Sequence, residues 1–238
     1  MELPETTKDI TLEWLNEVLH ENGFLGNANI TSLEQAKVGV GQGFNSDVAK
    51  LILHFDRKAI NLPNTIVAKL HPSDEALRKR LAANDVFERE IRFYREVAPN
   101  ISVRTPRFIY GGVDPDRQRY VMLMEDCSYA TPAEPDLQGL TYEETKIVVL
   151  KLADFHARCW KADTLPFLSW VPKMKDNLVR SLSTGITARA MWDACNKLED
   201  FRKKLPDGGW EAGLKIVEQR NWLNNNLPED KLTLLHGT

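Results

Sequence analysis

Apolar residues recur every three or four positions at the start of the chain. Leu12, Leu15, Val18 and Leu19 share one side between Thr11 and Gly23, which predicts a helix. From about Ile30 the period changes. Ala49, Leu51, Leu53 and Phe55 alternate with Val48, Lys50, Ile52 and His54, the two-residue repeat of a strand with one strongly apolar face. Ile66-Val67-Ala68-Lys69-Leu70 is a second short strand, set off by Leu62-Pro63-Asn64. One long helix is predicted from about Asp74 to Val97, halted ahead of Pro99. Strands return at Arg107–Tyr110 and Tyr120–Met124, with the turn-rich Gly111-Gly112-Val113-Asp114-Pro115-Asp116 between them. Residues 127–139 carry Pro132 and Pro135 and read as a linker. Beyond them Thr141-Tyr142-Glu143-Glu144 has the form of a capping box, and Val148, Leu152, Phe155 and Cys159 follow at helical spacing. Further helices are predicted near Ala188–Lys204 and Trp210–Asn225, then a last short strand at Leu232–Leu235. A β-rich segment with one inserted helix thus precedes a helical segment, an α+β arrangement in two lobes.

Composition narrows the function classes. The chain is 42% hydrophobic and 27% charged, ordinary globular values with enough apolar material for a core. A net charge of −3 offers no basic field for nucleic acid or acidic lipid. No apolar run is long enough for a membrane span. Met1-Glu2-Leu3-Pro4-Glu5 lacks the positive region and apolar stretch of a signal peptide. Cys127, Cys159 and Cys195 are odd in number, widely spaced, and form no zinc set with the five histidines. They read as buried or incidental thiols, in keeping with a reducing, cytoplasmic setting.

Gly39-Val40-Gly41-Gln42-Gly43-Phe44 is the first candidate for chemistry. Closely spaced glycines let backbone N–H groups approach phosphate oxygens; the same string also makes a plain hairpin turn. The next element along the chain is the strand Val48–Phe55 rather than a helix, which argues against a dinucleotide-binding turn, and no Walker string is present. Strand, glycine loop and strand is the arrangement that covers ATP in kinases. Asn45 or Ser46, just past the loop, offers either a side-chain donor or ordinary turn chemistry.

Lys69 shares a strand face with Val67 in an otherwise apolar run. A desolvated ammonium needs a partner or a ligand, whereas a lysine on an edge strand reaches water. The helix after this strand offers a partner. With Phe87 at zero and about 100° per residue, Ile91 and Tyr94 fall within roughly 40° of it, and Glu90 lies about 60° to one side. Glu90 therefore borders the packed face, either as a rim carboxylate or as the counter-ion of Lys69. In kinases such a pair fixes the lysine against the α and β phosphates. Tyr120–Met124 then runs into Glu125-Asp126-Cys127. If residues 127–139 join two lobes, the main chain of Glu125 and Cys127 is where an adenine edge would bond. Met124 reads as core, and His156 as a structural histidine.

These parts stand in a familiar order. Gly39–Phe44, Val67-Ala68-Lys69, Glu90-Ile91-Arg92-Phe93-Tyr94, Leu123-Met124-Glu125-Asp126, Leu152–Trp160 and Leu234-Leu235-His236-Gly237 resemble the motifs of the aminoglycoside phosphotransferase and choline kinase superfamily. Within it the chain resembles the ecdysteroid-kinase-like (CHK kinase-like) branch, from about Leu33 to Thr238. The resemblance implies a protein-kinase-like, two-lobe fold. Residues 1–126 would form a nucleotide-binding lobe, 127–139 a hinge and linker, and 140–238 a mainly helical, incomplete lobe. It implies ATP, with Mg²⁺, as donor of a γ-phosphoryl group to a hydroxyl of a small molecule. Carried over by position, Gly41 and Gly43 line the phosphate loop beside Phe44 and Asn45. Lys69 contacts the phosphates, Glu90 holds it, Val67 shares the ATP-facing side of its strand, and Glu125–Cys127 is the hinge. The helices between Trp160 and Pro228 stand where the family builds its acceptor pocket.

One departure shapes the expectation. The family's catalytic loop runs His-Gly-Asp, then an asparagine, then a metal-binding aspartate, whereas His236-Gly237 is followed here by Thr238. The expectation is a chain without the catalytic Asp/Asn and the metal ligands, with little turnover and an apolar surface left open on the helical lobe. A non-catalytic form that binds nucleotide or a partner, and an inactive fragment, are the alternatives. Sterol, choline-like, sugar and antibiotic hydroxyls are all open as acceptors.

Overall fold

The computed structural model describes residues 2–37, 46–129, 140–173, 188–220, 222, 226 and 232–235. Contacts divide the chain into two compact units, Met1–Arg158 and Cys159–Thr238. The first carries a five-stranded antiparallel sheet in the order β1-β2-β3-β5-β4. Its strands are β1 (Ile30–Lys37), β2 (Asp47–Phe55), β3 (Thr65–Leu70), β4 (Phe108–Asp114) and β5 (Arg119–Glu125).

Alternation explains both faces. On one side Ala49, Leu51, Leu53, Ile66, Ala68, Leu70, Val121 and Leu123 are buried in a single core with α1 (Leu12–Glu21). Helix α1 starts where Thr11 Oγ1 accepts from the Trp14 N–H, and it buries Trp14, Leu15, Val18 and Leu19. Burial of each such leucine is worth about 2 kcal/mol. Asn16 ties the helix to the sheet: its Oδ1 accepts from the Ile30 N–H and its Nδ2 donates to the Ile30 carbonyl. On the other face Tyr120 and Met122 pack with Leu81, Phe87 and Ile91. Four successive buried residues, Tyr120 to Leu123, mark β5 as the strand covered on both sides.

The helix predicted over Asp74–Val97 is broken in two. Helix α2 (Glu75–Ala82) ends, Asp85 takes a left-handed backbone (φ 52°), and α3 (Val86–Arg92) begins, followed by a π-helical turn over Phe93–Val97. The cause is legible in the spacing. Continuing the stripe of Leu77 and Leu81 would place Asn84 or Asp85 on the apolar face. Those two residues form the break instead, and the stripe restarts at Phe87, Ile91 and Tyr94.

Gly111 to Asp114, expected as turn, belong to β4. A Cβ on Gly111 would stand 2.8 Å from Ile91 Cγ1, and one on Gly112 2.8 Å from Leu3 Cδ2. These glycines thus serve close packing within a strand rather than a bend. The turn itself is at Pro115–Gln118, with Gln118 in the left-handed region (φ 54°).

The capping box before α4 (Tyr142–Arg158) forms as read: Thr141 Oγ1 accepts from the Glu144 N–H while Glu144 accepts from the Thr141 N–H. Ile147, Val148, Val149, Leu150 and Leu152 along this helix are exposed, and Phe155 is buried.

The second unit is helical, with α5 (188–195), α6 (Glu199–Lys204) and α7 (Gly209–Glu218). The single helix expected near Ala188–Lys204 is thus two, interrupted at 196–198. Trp192 stacks on Trp210 at 4.7 Å, and Gly213 leaves room for the Trp192 ring. Residues 232–235 form no strand among the described residues. The architecture is α+β, β-rich then helical, compatible with a kinase-like two-lobe fold.

Candidate functional site

Strand β3 turns Ile66, Ala68 and Leu70 into the core, so its pleat sends Val67 and Lys69 to the opposite face, where both are half-buried. Lys69 lies opposite Val48 on β2 and Met122 on β5; Val67 lies opposite Lys50 and Met124. An ammonium is therefore set among apolar neighbours, and it has a counter-ion. Lys69 Nζ donates to Glu90 Oε1 at 2.5 Å, each side chain being 26% exposed. Helix α3 delivers Glu90 because Phe87 and Ile91, one residue past Glu90, are anchored in the second core.

Glu90 has a second donor. The hydroxyl of Tyr120 donates to Glu90 Oε2 at 3.1 Å. Tyr120 is fully buried at the start of β5, and its ring stacks on Phe87 at 4.9 Å and 17°. Burial pushes its hydroxyl pKa far upward, and the neighbouring Glu90 charge adds to this.

A second ion pair borders the same face. Lys50 Nζ lies 2.7 Å from Asp126 Oδ2, with the Asp126 side chain 7% exposed. Burial alone would raise the Asp126 pKa, but the Lys50 ammonium, the Ser128 hydroxyl and N–H, and Thr65 together hold it well below the usual carboxylate range. Next to it, Glu125 is tied the other way. Its carboxylate accepts from the Arg107 N–H (3.0 Å), Arg104 (2.9 Å) and the Tyr129 hydroxyl (3.0 Å), and its own N–H donates to the Arg107 carbonyl. The Arg107 N–H is the leading cause that holds the Glu125 pKa down. The Tyr129 hydroxyl also lies 3.9 Å from Cys127 Sγ. Segment 125–129 is thus fastened to the sheet by two carboxylates, one on each side.

The sequence profile of the Ecdysteroid kinase-like family matches residues 40–166, more than half of the chain. The chain belongs to the ecdysteroid kinase-like family. Its function is accordingly that of a small-molecule kinase-like protein. No curated protein matches the chain. Among the described residues no helix is long and apolar enough to cross a membrane.

In this ecdysteroid kinase-like chain, Val67, Lys69, Glu90, Glu125 and Cys127 are all described, and Lys69 and Glu90 meet. Gly41, Gly43, Phe44 and Asn45 lie outside the described residues, as do His236 and Gly237. Among the described residues no group of three or more histidine, cysteine or acidic side chains converges to hold a metal ion.

Two participants escaped the sequence reading. Tyr120 carried a signal: a tyrosine at the head of a buried strand needs a bonding partner for its hydroxyl. Lys50 carried one too, an ammonium at an alternate position of an apolar strand, but only the register β2–β3–β5 reveals Asp126 as its partner.

Proposed function

We propose that the sheet face bearing Val48, Lys50, Val67 and Lys69 binds ATP, and that the protein transfers the γ-phosphoryl group to a hydroxyl of a small molecule. The observation that carries this reading is the 2.5 Å Lys69–Glu90 pair, a strand ammonium oriented by a helix carboxylate. An ammonium has three donors, and Glu90 engages one, so Lys69 can also bond phosphate oxygens while its direction is fixed. Val67 and Met124, paired across β3 and β5, supply apolar surface for a base. The carbonyl of Glu125 and the N–H of Cys127 are assigned to the base edge. The glycine segment holding Gly41, Gly43, Phe44 and Asn45 is assigned to the phosphates.

The contribution of this face is positioning. Phosphoryl transfer demands little covalent work of the protein and much alignment and charge stabilisation. Lys69 would orient the α and β phosphates and offset their charge. Support comes from the joint presence of the pair, the fastened 125–129 segment and the family.

Calorimetric titration of the purified 238-residue chain with ATP tests the reading. Saturable heat is expected, with an affinity that falls roughly ten- to a hundredfold in Lys69→Ala. A folded wild-type chain giving no heat of binding ends it. ATP consumption measured with a panel of hydroxylated small molecules then asks whether binding leads to transfer.

A further inference from the structure

We propose that Tyr120 is a positioning residue for the phosphate-binding lysine: its hydroxyl holds the second oxygen of Glu90, so that the Lys69–Glu90 pair is assembled before any nucleotide arrives. The inference rests on the nucleotide reading above and adds a residue to it.

A glutamate side chain on a helix turns about three single bonds, and one bond to Lys69 leaves its other oxygen able to swing toward water. Here that oxygen is taken at 3.1 Å by the Tyr120 hydroxyl. The donor itself is fixed. Tyr120 is fully buried, and its ring is stacked on Phe87, three residues before Glu90 on the same helix. One side chain therefore does two things. The ring sets how α3 lies on the sheet, and the hydroxyl sets where the carboxylate of that helix points.

The hydroxyl is not explained by packing. A phenylalanine would present the same ring to Phe87, and a buried hydroxyl without an acceptor is destabilising. Its acceptor is the carboxylate that orients Lys69. Burial and the Glu90 charge raise its pKa above the ordinary tyrosine value, so the phenol is a neutral donor at neutral pH. The freedom of two long side chains is given up on folding instead of on binding, which favours affinity.

The test is a calorimetric ATP titration of four full-length chains: wild type, Tyr120→Phe, Glu90→Gln and the double variant, each with its thermal unfolding midpoint. Tyr120→Phe is expected to unfold near the wild-type temperature and to bind ATP about tenfold more weakly. The double variant is expected to bind no more weakly than Glu90→Gln alone, because the hydroxyl acts only through that carboxylate. If wild type binds ATP and Tyr120→Phe binds it equally well, or if the two losses simply add, the positioning role is overturned while the nucleotide reading stands. A folded wild type without ATP heat removes the nucleotide reading and this role with it. Should Tyr120→Phe fail to fold, the unaltered chain decides. Its Tyr120 hydroxyl proton is expected as a slowly exchanging downfield NMR signal that shifts on saturation with ATP. A signal indifferent to ATP, or one lost to rapid exchange, overturns the proposal.

Discussion

Lys50 and Asp126 are joined by a 2.7 Å ion pair that reaches from β2, across β3, to the residue after the end of β5. It fixes the start of the segment that leaves the sheet, on the face where Lys69 also stands. Asp126→Asn removes the charge while keeping the shape. It is expected to cost about 2 kcal/mol in urea unfolding at neutral pH. The folded-state pKa of Asp126 lies below the ordinary 3.8, so its contribution is present above that value and lost as pH falls through the folded pKa. The gap between wild type and Asp126→Asn should therefore narrow in acid. A gap independent of pH would count against the ion pair.

Lys69→Ala separates stability from binding. Glu90 keeps its bond from Tyr120 and is a quarter exposed, so water can take the vacated side. Unfolding free energy should change by less than about 1 kcal/mol, because partly exposed pairs contribute little. ATP affinity should fall roughly ten- to a hundredfold, the loss of a bond between two charged groups. Calorimetry alongside thermal melts checks both halves.

Gly111→Ala tests whether the site depends on the seating of α3. The new methyl would meet three carbons of Ile91 at 2.8 to 3.0 Å, and Ile91 is buried. Overpacking of this kind costs about 1–3 kcal/mol. Because Ile91 adjoins Glu90, the displaced helix should also weaken ATP binding. Gly23→Ala serves as the contrast: its Cβ would meet nothing within 4 Å, so any loss there comes from its positive φ of 74° and should leave ATP affinity alone.

His71 supplies a pH dependence nearer neutrality. Burial lowers its pKa below 6.5, partly offset by the Tyr120 main chain and reinforced by Arg78 and Arg119. Nδ1 stands 3.1 Å from the Tyr120 nitrogen and 3.3 Å from the Tyr120 carbonyl oxygen, while Nε2 has no hydrogen-bond partner among the described residues. The unfolded chain thus binds the proton more readily, and stability should fall as pH drops below about 6.5. The slope from this group cannot exceed about 1.4 kcal/mol per pH unit. In His71→Gln the stability-against-pH curve should flatten over that window.

Surface chemistry gives a last expectation. Helix α4 exposes Ile147, Val148, Val149 and Leu150 in one unbroken run. Replacing Ile147 and Leu150 by glutamate should reduce binding of a hydrophobic-surface dye and raise solubility, without lowering the unfolding temperature. A lower melting temperature would show that these residues are packed.

Much of this was written in local pattern. The alternation of β2 and β3, the stripe of α1, the capping box at Thr141 and the placement of Glu90 at the margin of its helix all follow from one-dimensional spacing, because strands and helices repeat with fixed periods. The pairing of Lys69 with Glu90 was one of the two readings that spacing left open, and the packing of α3 on the sheet decided it. The helix break at Asn84-Asp85 was legible as well, had the apolar stripe been counted through it.

Other features belong to the assembled sheet alone. Gly111 and Gly112 resemble a turn until Ile91 and Leu3 are brought against them. Lys50 and Asp126 are distant in the chain and meet through strand register, which no local period encodes. Tyr120 becomes the holder of Glu90 only when β5 is laid beside β3 and α3 is laid over both. Sequence periodicity determines which side of an element a residue occupies. Which other element faces that side is decided by long-range packing, and there the partners of Lys50 and Tyr120 were chosen.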